Sequence, residues 1–259
     1  MMKYRIIIII YGLLLVSCSS LNPKSSSGTI LKKSKKVFLL TDSSGEFKVV
    51  RETVHKKAKN EFIVRKSIYP KDKKESSPVE RCITISTPGR LKKIAVLRPK
   101  ISQYYVWFED SKEKYFTQLK INLKKKNLDI IMKSPEKQWN GSRSVPFPSG
   151  TGVYCFFSQL IECVGVTGFI KKASRKNTGK MNFYVIWDSY PYVQEQFLNM
   201  PDSVFSTAVL EYDGMNKNGE RRFTLKVAGQ SIFYFVNNNG QLVKKFWASQ
   251  GLSMVRSDL

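Results

Sequence analysis

The sequence predicts a mainly β protein: an antiparallel barrel-like or half-barrel sheet with one main helix near 151–164. Three observations carry that expectation. Short apolar or alternating runs recur from Val37 to Trp247, their connections are rich in Asp-Gly, Asn-Gly and single glycines, and one segment alone carries a helical period. At 259 residues, 42% hydrophobic and 25% charged, the chain can bury a real core. The same composition excludes a collagenous, wholly disordered or polytopic membrane protein.

The first pair of strands is Val37 to Leu40 and Phe47 to Val50, flanking Asp42-Ser43-Ser44-Gly45, a turn of hairpin length. Further strands are expected at Phe62 to Tyr69, Cys82 to Ser86, Lys93 to Leu97, Tyr104 to Phe108 and Tyr115 to Leu123. In the last of these, Tyr115, Thr117, Leu119, Ile121 and Leu123 share one face while Gln118, Lys120 and Asn122 share the other, the period-2 pattern of a half-buried strand. Asn182 to Trp187, Val204 to Tyr212, Arg222 to Ala228, Ser231 to Val236 and Leu242 to Trp247 continue the series. Asp213-Gly214, Asn218-Gly219, Gly229 and Asn239-Gly240 in their connections tolerate positive φ, so an antiparallel meander follows.

From Thr151 onward Val153, Phe156, Phe157, Leu160, Ile161 and Val164 form one helical stripe, with Ser149 or Thr151 as its cap and Gly165 as its end. Cys155 and Cys163 would then be about 12 Å apart by helical rise, whereas a disulfide tolerates about 4.4–6.8 Å. Any bridge is therefore expected to join Cys82 to one of them; otherwise all three cysteines are buried small hydrophobes.

The basic charge is unevenly placed. Lys+Arg number 44 and Asp+Glu 20, net +24; residues 19–150 hold thirty against twelve, net +18, and residues 151–259 twelve against eight, net +4. A field of this kind attracts polyanions, and Lys124-Lys125-Lys126 is a candidate for facing phosphates. Solvated lysines at strand edges, which discourage aggregation, are the plainer explanation.

The N-terminus indicates an address. Lys3 and Arg5 precede an apolar stretch from Ile6 to Val16, too short to span a bilayer as a helix and flanked like a secretory signal. Leu15-Val16-Ser17-Cys18 resembles the bacterial lipobox. That resemblance implies cleavage of residues 1–17, acylation of Cys18 and stable membrane anchoring; Ser19 stands where an aspartate would resemble an inner-membrane retention signal, so the outer membrane is the expected destination, on its periplasmic face. Residues 18–34 are expected to be a lipidated tether and 35–259 a β-rich envelope domain, with a basic first half 35–149 and a second half 150–259 as a possible division. A second resemblance covers roughly 145–250. Val145-Pro146-Phe147-Pro148, the short helix, and strands running to Ser231–Val236 and Leu242–Trp247 are similar in order to an exported bacterial β-protein family, domain of unknown function 3108. It implies a barrel-like envelope protein and supplies no catalytic residues.

Little in the chain suggests enzymatic chemistry. His55 is the sole histidine and lies in the basic stretch from Arg51 to Lys59; no CxxC, HExxH or glycine-rich phosphate loop is present. Glu109-Asp110 and the pair Glu211 and Asp213 fall at strand ends, where solvated acids are ordinary. No catalytic residue, metal or cofactor is expected. The aromatic runs from Tyr104 to Phe108 and from Phe183 to Trp187 are continuous and apolar, so both faces of those strands seek cover. Tyr104, Trp107, Tyr184 and Trp187 are the candidates for lining a ligand cavity. The expected function is binding or chaperoning an amphipathic or anionic envelope component, or else a structural adaptor between outer membrane and wall polymer or a partner protein. Expected partners are the membrane, through the N-terminal lipid, and an anionic lipid or envelope polymer, but not nucleic acid.

Overall fold

The computed structural model describes residues 30–56, 58–71, 78–107, 114–122, 124–149 and 152–258. The signal-like segment, Cys18, Glu109-Asp110 and Thr151 lie outside the described residues. Among the described residues fifteen strands form one sheet. The first half supplies β1 (Ile30–Asp42), β2 (Gly45–Lys56), β3 (Glu61–Pro70), β4 (Glu80–Leu91), β5 (Ile94–Trp107), β6 (Lys114–Asn122), β7 (Asn127–Lys133) and β8 (Gly141–Pro146). The second half supplies β9 (Tyr154–Phe156), β10 (Lys180–Ile186), β11 (Phe205–Met215), β12 (Arg221–Val227), β13 (Gln230–Val236), β14 (Leu242–Trp247) and β15 (Leu252–Arg256). Among the described residues there are three short α-helices: α1 (Leu160–Val166), α2 (Phe169–Lys176) and α3 (Tyr192–Gln196).

Strand order is β8-β7-β6-β5-β4-β3-β2-β1-β15-β14-β13-β12-β11-β10-β9, so two meanders meet where the first strand pairs with the last. Every pairing is antiparallel except β9 with β10, and the sheet stays open between β8 and β9. Across that seam the Arg143 guanidinium donates to the Tyr190 hydroxyl, which in turn donates to Asp202 at 2.6 Å. The basic and near-neutral parts of the chain thus share one sheet.

The strands form where alternation demands them. On β6, Tyr115, Thr117 and Leu119 are buried and Lys120 is exposed, as the period-2 pattern requires. The Asp42–Gly45 turn closes the β1–β2 hairpin in register, with Asp42 opposite Gly45. Leu119, Leu128, Ile130, Phe223, Leu225 and Trp247 belong to the main core and are buried to within 1%. Each such side chain contributes about 1.5–3 kcal/mol of transfer free energy.

Several boundaries differ from the sequence expectation. Lys93–Leu97 and Tyr104–Phe108 are not separate strands; β5 runs unbroken from Ile94 to Trp107 against β4. Its only irregularity in that pairing is a register shift near Ser86. Strand β1 starts at Ile30 and so takes in 30–34, which the tether was expected to cover. Strands β7, β8, β9 and β15 were not anticipated.

The helix of 151–164 needs the largest correction. Residues 154–156 are a strand, Phe157–Gln159 a single 3-10 turn, and the α-helix starts only at Leu160. Val153, Cys155 and Phe156 are all buried, so this stretch is covered on both faces and its apolar spacing fits a strand as well as a helix. Pairing with β10 decides in favour of the strand, with Cys155 opposite Val185. The cysteine expectation falls with it: Cys155 and Cys163 form a disulfide, their Cα atoms 5.8 Å apart, and Cys82 is the free, buried thiol. Helical rise does not separate residues that are not on one helix. Gly168, at φ +79, then turns the chain from α1 into α2, a conformation that strains any residue with a Cβ.

Candidate ligand cavity

Inside the curl of the sheet, α1 packs against β5 and the 3-10 turn against β3 and β4. Gln159 is buried; its side-chain carbonyl accepts from Ser86 Oγ on β4 at 2.5 Å. Arg51, on β2 and buried, donates through both guanidinium nitrogens to Glu162 of α1 at 2.6 Å and to the Ser158 carbonyl at 3.1 Å. A bidentate guanidinium–carboxylate pair is the strongest and most geometrically specific side-chain contact of this kind. It fixes the 3-10 turn and α1 over one part of the interior and leaves the rest open.

What remains is a cavity of about 630 Å³. Leu40, Phe47, Val49, Ile68, Leu160, Ile161, Leu242, Trp247 and Met254 supply apolar walls, and Tyr192, Val193 and Phe197 of the α3 segment close one side. Ser43, Ser44, Leu198 and Ser249, all exposed, stand at its mouth, at the end of the sheet that carries the β1–β2 and β14–β15 connections. Gln250 holds that rim: its side chain donates to the Leu198 carbonyl at 3.0 Å and accepts the Leu198 N–H at 3.1 Å.

The inner part of the lining is ionic. Lys66 of β3 lies 3.2 Å from Glu80 of β4, and Asp188, Arg51 and Lys245 of β14 join them. Asp188 is buried; Ser158 donates to it through its N–H at 2.7 Å and through its hydroxyl. Burial raises the Asp188 carboxyl above the ordinary range, and those two hydrogen bonds oppose the rise. Burial would lower Lys66, but the charges of Glu80 and Asp188 oppose it and its ammonium is held above the ordinary value. Cys82 sits 3.5 Å from Ser158 Oγ; burial, then the Asp188 charge, pushes its thiol up, so it stays protonated. Burial and the Glu80 charge likewise raise the Tyr104 phenol, and Tyr192 is pushed up to about 12. Lys245 moves the other way. Burial, then repulsion from Lys66, lowers it to about 7.

Of the residues singled out from sequence, Tyr104 lines this cavity, buried and 5.8 Å from the Tyr192 ring. The others do not join it. Trp107 is on the opposite face of β5, stacked on Tyr105 at 5.6 Å beneath the Arg81 guanidinium. Tyr184 stacks on Tyr154 at 4.9 Å and borders a shallow groove over β10–β13. Trp187 is wholly buried in the main core, its indole N–H donating to Ser206 Oγ at 2.9 Å. Lys124, Lys125 and Lys126 form the exposed β6–β7 turn, and the meander puts that turn at the end of the sheet opposite the cavity mouth. Of the strand-end acids, Glu211 pairs with Lys180 and Lys226, and Asp213 with Arg222. His55 sits at the end of β2, its ring 6.3 Å from that of Phe62, and does not line the cavity. Among the described residues no group of three or more His, Cys, Asp or Glu could hold a metal, and no helix is long and apolar enough to cross a membrane.

Sequence reasoning missed Lys66, Glu80, Ser158, Asp188 and Lys245. For the two lysines a signal existed: each occupies a strand position that alternates with buried apolar residues, Lys66 two positions after Val64 and two before Ile68, Lys245 two before Trp247.

No family model matches the chain, and no curated protein matches it. Among solved structures it is similar to a β-barrel-like protein of domain of unknown function 1849 from Brucella abortus, with 9% identity, a TM-score of 0.44, and coverage of 87% of this chain and 98% of that one.

Proposed function

We propose that this chain is a lipid-anchored protein of the bacterial envelope, held at the outer membrane through Cys18, that binds or chaperones an amphipathic or anionic envelope component without chemical conversion. The observation that carries this reading is a cavity with apolar walls and an ionic inner lining, whose volume of about 630 Å³ suits one small molecule. An amphiphile matches both surfaces: its chain gains about 25 cal/mol per Å² of apolar area removed from water, while its head meets groups already desolvated. The barrel-like envelope family resembled by residues 145–250 is consistent with this, and belongs to the same proposal. The basic Lys124–Lys126 turn, remote from the cavity, is then a surface for lipid phosphates or wall polymer and not part of the binding site.

The reading is tested by titrating the protein with a neutral environment-sensitive dye such as N-phenyl-1-naphthylamine. Fluorescence should saturate at one dye per chain, and Ile68→Trp or Val79→Trp, which fill the cavity, should abolish the signal while the thermal transition survives. Non-saturating fluorescence, or undiminished signal in both folded variants, contradicts the reading.

A further inference from the structure

Three cations face the cavity, and they are not equivalent. Arg51 is matched by Glu162 through two 2.6 Å hydrogen bonds, and Lys66 by Glu80 at 3.2 Å. Lys245 has no such match: among the described residues its ammonium makes no hydrogen bond and no ion pair. It is held instead by rings, 4.2 Å from the centre of Phe157, 5.8 Å from Tyr234 and 5.7 Å from Trp247. Ring faces attract a cation but replace only part of the hydration that burial removes. The buried acid of the cavity is in the reverse position, since Asp188 already accepts two hydrogen bonds from Ser158. The charged group in the lining that lacks a hydrogen-bonded or ionic partner among the described residues is therefore a cation, partly buried beneath those rings.

Resting on the cavity reading, we infer that Lys245 is its anion-binding residue, taking the single carboxylate or phosphate of an amphiphile whose apolar chain lies along Leu40, Phe47, Ile68 and Leu242. Lys245 projects from the strand face that carries Trp247, so a chain laid along those walls brings its head to the ammonium. The same geometry makes capture pH-dependent. Lys66 and Arg51 face Lys245 and oppose its charge; Asp188 and Glu80 face it and favour it; burial tips the balance, so that without ligand the amine titrates near 7. A bound anion favours the ammonium, so above that pH binding must draw in a proton and weakens as pH rises.

The test uses the full chain in phosphatidylcholine nanodiscs, with empty nanodiscs as blank, and calorimetric titration at pH 6 with decanoate, decyl phosphate and neutral methyl decanoate. At least one anionic probe should bind tenfold or more tightly than the ester; which of the two does so distinguishes a fatty carboxylate from a lipid-type phosphate. Lys245→Met should erase that preference, Lys245→Arg should keep it, and raising the pH from 6 to 9 should weaken the preferred anion but not the ester. Equal binding of ester and anions in the wild type, with an indifferent Met variant, overturns the role of Lys245 and leaves the cavity reading standing. Should Lys245→Met fail to fold, the Arg variant and the pH series decide: no loss of anion affinity between pH 6 and 9 overturns the inference. Failure of all three probes to bind overturns the cavity reading itself.

Discussion

The aromatic runs Tyr104–Trp107 and Phe183–Trp187 have the same apolar pattern in sequence and different fates in the fold. On β5, Tyr104 and Val106 face inward while Tyr105 and Trp107 face outward, half-buried with Phe116 and Arg81. On β10, Phe183 and Val185 are buried in the main core, and Trp187, just past the strand, packs between Phe157 at 4.6 Å and Trp247 at 6.3 Å. The difference lies in what stands behind each strand. Cys163 and Val164 of α1, each at most 1% exposed, fill the interior of the main core, whereas Tyr104, which lines the cavity, belongs to a smaller cluster with Cys82, Val106 and Tyr115. A continuous apolar run thus reports that a strand is covered, not whether a side chain or a ligand covers it.

Trp187→Ala should break the filled side. A cost of about 3–5 kcal/mol is expected from the loss of a large core aromatic, with Trp107→Ala costing much less because its face of β5 is only half-covered. Equal shifts in the denaturation midpoints would erase the contrast. Next in size is the clip that holds β9 to α1. Replacing Cys155 and Cys163 together by serine should cost about 2–3 kcal/mol, at the low end for disulfides because the closed loop is short. A variant as stable as the wild type would show that packing alone sets the strand-to-helix break.

Charge on the cavity side gives a pH-dependent effect of opposite sign. The lowered Lys245 value means the unfolded chain binds more protons than the native one between about 7 and the ordinary 10.5, so this residue's contribution to stability rises with pH across that window. Lys245→Met should therefore stabilise the unliganded protein at pH 6, by about 1–4 kcal/mol as for other buried charges replaced by apolar groups. The gain should vanish toward pH 10.5. Chemical denaturation at three pH values reads it, and a destabilised variant at pH 6 would mean that Lys245 has a native partner. Smallest is the turn at the far end. Changing Lys124, Lys125 and Lys126 to Gln should move stability by no more than about 0.5 kcal/mol, leave dye binding unchanged, and lower salt-sensitive binding to anionic vesicles. Altered dye binding would contradict the separation of the two ends.

How much of this was legible follows from periodicity. β6 could be read residue by residue because one face is polar, and the β1–β2 turn because Asp42 and Gly45 carry turn chemistry. β7 was hidden although Leu128, Ile130 and Met132 alternate, since exposed Ile131 joins Ile130 and Met132 in one short apolar run that breaks the alternation. β8, Gly141-Ser142-Arg143-Ser144-Val145-Pro146, is an edge strand with mostly exposed side chains and offers no alternation to detect. Residues 153–156 misled because burial on both faces erases the distinction between periods of 2 and 3.6. Tyr104 was found as part of an apolar run. Ser158 and Asp188 were not, because they come from a 3-10 turn and a connecting turn, whose geometry only the finished sheet imposes.

The most direct test of the central claim is native mass spectrometry of the protein extracted from its own membrane. The account predicts a population one small amphiphile heavier than the delipidated protein, with the adduct lost from the folded Ile68→Trp variant and retained when Lys124, Lys125 and Lys126 are changed to Gln. Protein that carries no adduct under conditions that preserve weak complexes, or an adduct indifferent to filling the cavity, would contradict it.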